Sequence, residues 1–182
     1  KNIQKEGGKM KTVTQLLKEY GYINPYISSN PEKTERGTNI HEQISSLIVE
    51  KSTKMDLTSE NIYNYQKETL YAIKFLNDFN IVPIYVEKRI NWTYSGKPDI
   101  VGTIEDKFVI IDWKTGGKQK HWGLQLWGYY YLLKTYDIEA TKLYTVIIQE
   151  DKYIVDNWIN DLEAKSKWEE IMTKEGLWKI KK

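Results

Sequence analysis

The hydrophobic pattern of the chain changes period from segment to segment, and each change marks an element. Leu16, Leu17 and Tyr20 recur at helical spacing from Val13 to Tyr20, and Gly21 stops that short helix. Residues 22–36 carry Pro25, Pro31 and many polar side chains, the composition of a loop. Ile40, Ile44, Leu47 and Ile48 then predict a helix over 37–51, followed by a polar connector at 51–56. Thr58 or Ser59 can cap a longer helix reaching Asn77, with Ile62, Tyr65, Leu70, Ile73 and Leu76 near one face.

From residue 81 the period shortens to two. Ile81 to Trp92 alternates as a strand, and Pro83 places it at a strand start or a sheet edge. Ile100–Ile104 and Lys107–Ile111 are rich in β-branched and apolar residues, with only Glu105-Asp106 between them. This is the pattern of two antiparallel strands joined by a tight turn. A helix follows over 121–135 with Leu126, Tyr130 and Leu133 in its apolar stripe, then a strand over 142–149. The stretch from Val155 to about Thr173 reads as an amphipathic helix using Trp158, Leu162 and Ile171. The central order is helix, three strands, helix, strand. Residues 1–12 are read as a tail and 13–182 as one α/β domain, a size that supports a good core.

Composition narrows the classes. The chain has no cysteine, which rules out disulfides and a Cys-ligated iron-sulfur cluster and suits a reducing cytoplasm. No apolar run approaches the roughly 18 residues that cross a bilayer, so a soluble cytoplasmic protein without a membrane partner is expected. A net charge of +2 is too small to identify a nucleic-acid partner by itself. Its distribution is more telling. Lys114, Lys118, Lys120 and His121 cluster around Gly116-Gly117, a loop suited to substrate phosphates. Of the abundant aromatics, Trp92, Tyr94, Trp122 and Trp127 flank this region and are candidates for stacking on unpaired bases.

The run GKPDIVGTIEDKFVIIDWKTG concentrates the chemistry. A two-residue turn at Glu105-Asp106 puts Ile104 opposite Lys107 and, further out, Asp99 opposite Asp112. Strand alternation places Asp112 and Lys114 on one face, with Ile111 and Trp113 on the other. Opposed carboxylates repel unless a cation lies between them, and hard ions such as Mg²⁺ or Mn²⁺ prefer carboxylate oxygen. Glu-Asp is not the Asn-Gly or Asp-Gly that such a turn favours, and an odd loop would break the register.

Pro98-Asp99 followed by Asp112-Trp113-Lys114 resembles the PD-(D/E)XK nuclease superfamily. Further positions resemble its RecB-like exonuclease branch: Gly37 to His41 as G-x-x-x-H, Glu87 on the strand before the hairpin, and Gln125 with Tyr129 as Q-x-x-x-Y. The resemblance covers residues 37 to about 133. It implies a restriction-endonuclease-like αβββαβ core, a central mixed β-sheet flanked by helices. It also implies one or two Mg²⁺ or Mn²⁺ ions held by His41, Asp99, Asp112 and the Trp113 carbonyl. Lys114 would orient the attacking water or stabilise charge at phosphorus, and Glu87 would position a metal-bound water or a second ion. Gln125 and Tyr129, one helical turn apart, would hold a phosphate or that water, with Lys118, Lys120 and Trp122 contacting substrate.

The implied activity is metal-dependent hydrolysis of DNA, with an exonuclease on single strands or duplex ends favoured over an endonuclease. Repair, recombination or phage DNA metabolism is the implied setting, and a homo-oligomer or partner protein is open. Two other classes compete: a nucleic-acid-binding module without catalysis, and an aromatic-rich carbohydrate-binding or interaction domain.

Overall fold

The computed structural model describes residues 10–24, 31–50 and 66–178. The elements run α1 (Val13–Glu19), α2 (Pro31–Glu50), α3 (Lys67–Asp78), β1 (Val82–Val86), β2 (Ile90–Asn91), β3 (Ser95–Gly96), β4 (Ile100–Ile104), β5 (Lys107–Lys114), α4 (His121–Lys134), β6 (Ala140–Ile148), β7 (Tyr153–Asn157) and α5 (Leu162–Lys174). The five-stranded sheet has the order β1-β4-β5-β6-β7. All neighbours are antiparallel except β5 and β6, which α4 connects in parallel. The expected αβββαβ core is therefore α3-β1-β4-β5-α4-β6, an α/β fold built on a mixed sheet flanked by helices.

The hairpin forms with the expected register, Ile104 opposite Lys107 and Ile100 opposite Ile111. Glu105 and Asp106 both take positive φ, 48° and 63°, so two residues with side chains occupy the left-handed region that the primed hairpin turn demands. Alternation along β5 divides the core. Ile110 packs with Val101 and Leu143 against α1, α4 and α5. Val109, Ile111 and Trp113 pack on the opposite face with Ile40, Ile44 and Leu47 of α2 and Ile73, Phe75 and Leu76 of α3. Asp112 and Lys114 share the parity of Ile110, and so face α4.

Three expectations are corrected. Residues 81–92 are not one strand: Glu87, at φ 46°, ends β1, and β2 leaves to pair with β3 in a separate two-stranded sheet. Residues 155–157 belong to edge strand β7, and the last helix begins at Leu162, with the Asp161 carboxylate accepting from the Ala164 N–H as its cap. Helix α2 begins at Pro31 rather than Gly37, proline being well suited to a first helical position. The expected connector at 51–56, the Thr58 or Ser59 cap, and Ile62 and Tyr65 lie outside the described residues. Pro83 does sit on an edge strand, beside an irregularity in the β1–β4 pairing.

Helix α4 is enclosed nearly all round, and its glycines make room for this. A Cβ on Gly128 would stand 2.9 Å from both Trp168 Cζ2 and Val13 Cγ1, and one on Gly123 only 2.5 Å from Trp158 Cε3. The close fit fixes α4 against the sheet, and with it the two polar side chains that α4 turns towards β5.

Candidate active site

Asp99 stands at the entrance to β4, where the chain is held from both sides. Its carbonyl accepts the Glu87 N–H at 2.8 Å, and its carboxylate Oδ2 accepts the Trp113 N–H at 2.7 Å. The other carboxylate oxygen lies 3.5 Å from His41 Nδ1, which α2 carries beside the buried Ile40 and Ile44. The main-chain turn at Glu87 brings a second carboxylate to the same place. Ligand atoms of His41, Glu87 and Asp99 all fall within 4.8 Å of one another, and among the described residues this is the only grouping of its kind.

Asp112 is organised differently. Its carboxylate is 4% exposed and pairs with the Lys114 ammonium, but Oδ2 has no well-directed hydrogen bond from any donor. Burial pushes this carboxyl above its ordinary range; Asp99 adds to the effect, while Lys114 and His41 oppose it. Lys114 Nζ also donates to Gln125 Oε1 at 3.1 Å, and Gln125 Nε2 donates to the Tyr129 hydroxyl at 2.8 Å. The four side chains thus form one chain from β5 onto α4. Burial, followed by the charge of Asp112, holds the Tyr129 hydroxyl well above its usual range, so it stays protonated.

His41 loses part of its basicity to burial, yet its bond to Asp99 and the charges of Asp99 and Asp112 raise it above the usual imidazole value in the metal-free protein. His121 moves the opposite way, lowered by burial and by Lys114. It therefore adds little positive charge to the basic loop at neutral pH.

A cleft of about 470 Å³ opens over His41, Glu87 and Asp99, lined also by Thr34, Gly37, Thr38, Glu42, Lys97 and Thr115. Thr34 and Thr115 also line a second cavity of about 440 Å³ with Arg36, Glu68, Gly116 and Glu150. Gly37 explains how α2 comes so near β5: a Cβ there would lie 3.1 Å from Thr115 Oγ1.

The sequence pattern of the PD-(D/E)XK nuclease superfamily matches residues 16–181. The chain belongs to the PD-(D/E)XK nuclease superfamily. Its nucleases act on nucleic acid with divalent metal ions, and the donor set fits: two carboxylates and an imidazole suit hard or borderline ions, and the enclosed Asp112 carboxylate lacks a directed donor. A solved structure titled "Crystal structure of SSO0001" aligns over 89% of this chain and 84% of its own, at 16% identity and a TM-score of 0.34. No curated protein matches the chain.

The residues singled out in the sequence fall into two subsets. His41, Glu87 and Asp99 form one, and Asp112, Lys114, Gln125 and Tyr129 the other. The paired register ends at Ile100 and Ile111, one step short of Asp99 and Asp112, and beyond it the Asp99 carboxylate accepts from the Trp113 N–H. Lys118 is exposed but paired with Asp156 at 2.8 Å, over the ring of Trp158; Lys120 is exposed just before α4. Trp122 is 5% exposed and carries Lys114 Nζ 5.5 Å above its ring, so it acts as a shelf for the lysine and offers little surface to a base. Tyr94 and Trp127 are likewise buried core residues.

The sequence reasoning missed Lys97, whose ammonium lies 2.5 Å from Glu87 Oε2. Its only signal was its place two residues before Asp99. It also missed Arg36, which ties α2 to Glu68 of α3 and to Glu150 after β6. No helix among the described residues is long and apolar enough to cross a membrane.

Proposed function

We propose that the protein is a metal-dependent deoxyribonuclease of the RecB-like branch, acting as an exonuclease on DNA ends or single strands. The observation that carries this reading is the meeting of His41, Glu87 and Asp99 in one cleft with the Asp112–Lys114–Gln125–Tyr129 chain behind it. His41, Asp99 and Asp112, with the Trp113 carbonyl and Glu87, would hold one or two Mg²⁺ or Mn²⁺ ions. A divalent ion bound there supplies a water of lowered pKa and neutralises phosphate charge.

The chain's own residues do the rest. Asp99 fixes its geometry by accepting from the Trp113 N–H, which leaves the opposite oxygen directed to His41. Lys114 orients the attacking water and meets the charge developing on the phosphoryl oxygens. Asp112 and Gln125 hold that ammonium in place, and Tyr129 holds Gln125. Lys120 and Lys118 extend positive charge along the outgoing strand of substrate, Lys118 after exchange from Asp156. DNA repair, recombination or phage DNA metabolism would use such an activity.

Digestion of 5′- and 3′-labelled single- and double-stranded DNA, beside a closed circle, with Mg²⁺ or Mn²⁺ tests the proposal. Metal-dependent loss from ends is expected. Cleavage of the circle would replace the exonuclease with an endonuclease. Full activity in both Asp112→Ala and Lys114→Ala would remove the assignment altogether.

A further inference from the structure

The centre contains a cation that the nuclease reading does not employ. Lys97 Nζ lies 2.5 Å from Glu87 Oε2, and both residues line the cleft with His41 and Asp99. Glu87 is thus shared between two roles: it belongs to the ligand group with His41 and Asp99, and it is the acidic partner of Lys97. The two roles compete. A divalent ion on the Glu87 carboxylate would sit close to the Lys97 ammonium, and like charges at that range repel.

The main chain delivers Lys97 firmly, while its side chain reaches out to a part-exposed ion pair. Gly96 is packed so closely that a Cβ would lie 2.7 Å from Leu132 Cδ1 and 2.8 Å from Tyr129 Cδ1, and the Ser95 N–H donates to the Lys11 carbonyl at 2.9 Å. The Lys97 side chain is 45% exposed, against 17% for Lys114, which Asp112 and Gln125 already hold. A lysine on a flexible four-carbon stem, anchored at its base and open at its tip, can exchange one anionic partner for another.

We propose that Lys97 is a substrate-binding residue of this centre: it occupies Glu87 in the metal-free protein and transfers to a backbone phosphate of the DNA strand when Glu87 takes up a divalent ion. The proposal rests on the nuclease reading above. Lys97 then keeps the empty site from accumulating uncompensated negative charge, and it couples metal loading to the appearance of a free ammonium in the cleft. The ligand it recognises is a non-bridging phosphate oxygen, so the contact is indifferent to base sequence.

Two measurements test this. In a Mn²⁺ titration without DNA, Lys97→Ala should bind the ion about 2- to 5-fold more tightly, as expected for removing a part-exposed ion pair. Single-stranded DNA binding is then measured with Mn²⁺ in a Lys114→Ala background, so that cleavage does not consume the probe. Adding Lys97→Ala should weaken binding and make the slope of log K against log salt shallower by about 0.7, the loss of one phosphate contact. Lys97→Arg should retain the slope.

Unchanged or weaker Mn²⁺ affinity in Lys97→Ala, or an unchanged salt slope, overturns the exchange. Asp99→Ala separates this failure from that of the underlying reading. If Asp99→Ala binds Mn²⁺ as the wild type does, the metal centre itself is misplaced, whatever Lys97 shows.

Discussion

The main-chain N–H of Trp113 donates to Asp99 Oδ2 at 2.7 Å in the protein interior, while Oδ1 of the same carboxylate lies 3.5 Å from His41 Nδ1. One side chain therefore both fastens the end of β5 and turns its other oxygen to His41 in the cleft. The two duties can be separated by substitution.

Asp99→Ala should lose both. A buried N–H left without an acceptor costs about 1–3 kcal/mol, so the melting temperature should fall by roughly 2–10 °C and cleavage should vanish. Asp99→Asn keeps a carbonyl oxygen for Trp113 and should stay within about 1 kcal/mol of wild type in urea denaturation, while still losing cleavage. Equal destabilisation of both variants would show that the Trp113 bond contributes nothing.

Asp112 makes the opposite bargain between stability and chemistry. Its carboxyl is raised above its ordinary value of 3.8 by burial, so the folded state disfavours the ionised form. The sign follows: stability is unpenalised below the unfolded pKa, is lost progressively as pH rises from there towards the folded pKa, and carries the full penalty only above the folded pKa. In the metal-free protein, Asp112→Asn should then unfold no earlier than wild type at pH 7, with the advantage shrinking as pH approaches 4. Cleavage should be abolished. A metal-free melting temperature more than about 3 °C below wild type at pH 7 would contradict this.

The hairpin was legible because one polar pair, Glu105-Asp106, interrupts two β-branched runs, and a period of two then dictates which side chains share a face. His41, Gln125 and Tyr129 were legible only through the resemblance to the RecB-like motifs, since helical spacing alone sets each among apolar neighbours and gives it no role. The break at Glu87 was not, because the alternation of residues 81–92 continues through it and only the backbone φ of 46° records the turn. β7 was hidden by its position at the sheet edge, where its half-exposed residues lack a buried face and Trp158 and Leu162 mimic a helical stripe. Spacing puts Asp112 and Lys114 on one face of β5, but the pairing of Glu87 with Lys97 depends on how the chain turns at Glu87, and spacing along the chain holds no record of that.

Tyr129 acts on Lys114 through Gln125, and its hydroxyl can be removed without removing its ring. Tyr129→Phe deletes the acceptor of the Gln125 amide, which frees that side chain to rotate away from Lys114. The loss of one hydrogen bond predicts cleavage slower by about 3- to 10-fold at saturating DNA, with little change in KM. Tyr129→Ala, by contrast, empties a site 4% exposed and should destabilise the protein by about 3–5 kcal/mol. Unaltered kinetics in Tyr129→Phe would make the hydroxyl a bystander.

Gly123→Ala sets two effects of opposite sign against each other. In an ordinary helix interior the exchange stabilises by about 1 kcal/mol. Here the new methyl would stand 2.5 Å from Trp158 Cε3 and 3.1 Å from Cδ2 and Cζ3, inside a packed ring face with no flexible end to yield. Trp158 is also tethered, since its Nε1 donates to Thr145 Oγ1 at 2.8 Å, and Thr145 pairs with Asp112 across β5 and β6. Overpacking should therefore prevail, with a net loss of about 1–3 kcal/mol. Displacement of Trp158 should reach the Asp112 strand and slow cleavage as well. Gly116→Ala is the matched control, because nothing lies within 4 Å of its Cβ position, and it should change stability by no more than about 0.5 kcal/mol. Urea denaturation of the two variants decides the contest: a Gly123→Ala protein as stable as wild type would mean that Trp158 moves aside freely and takes no part in holding Asp112.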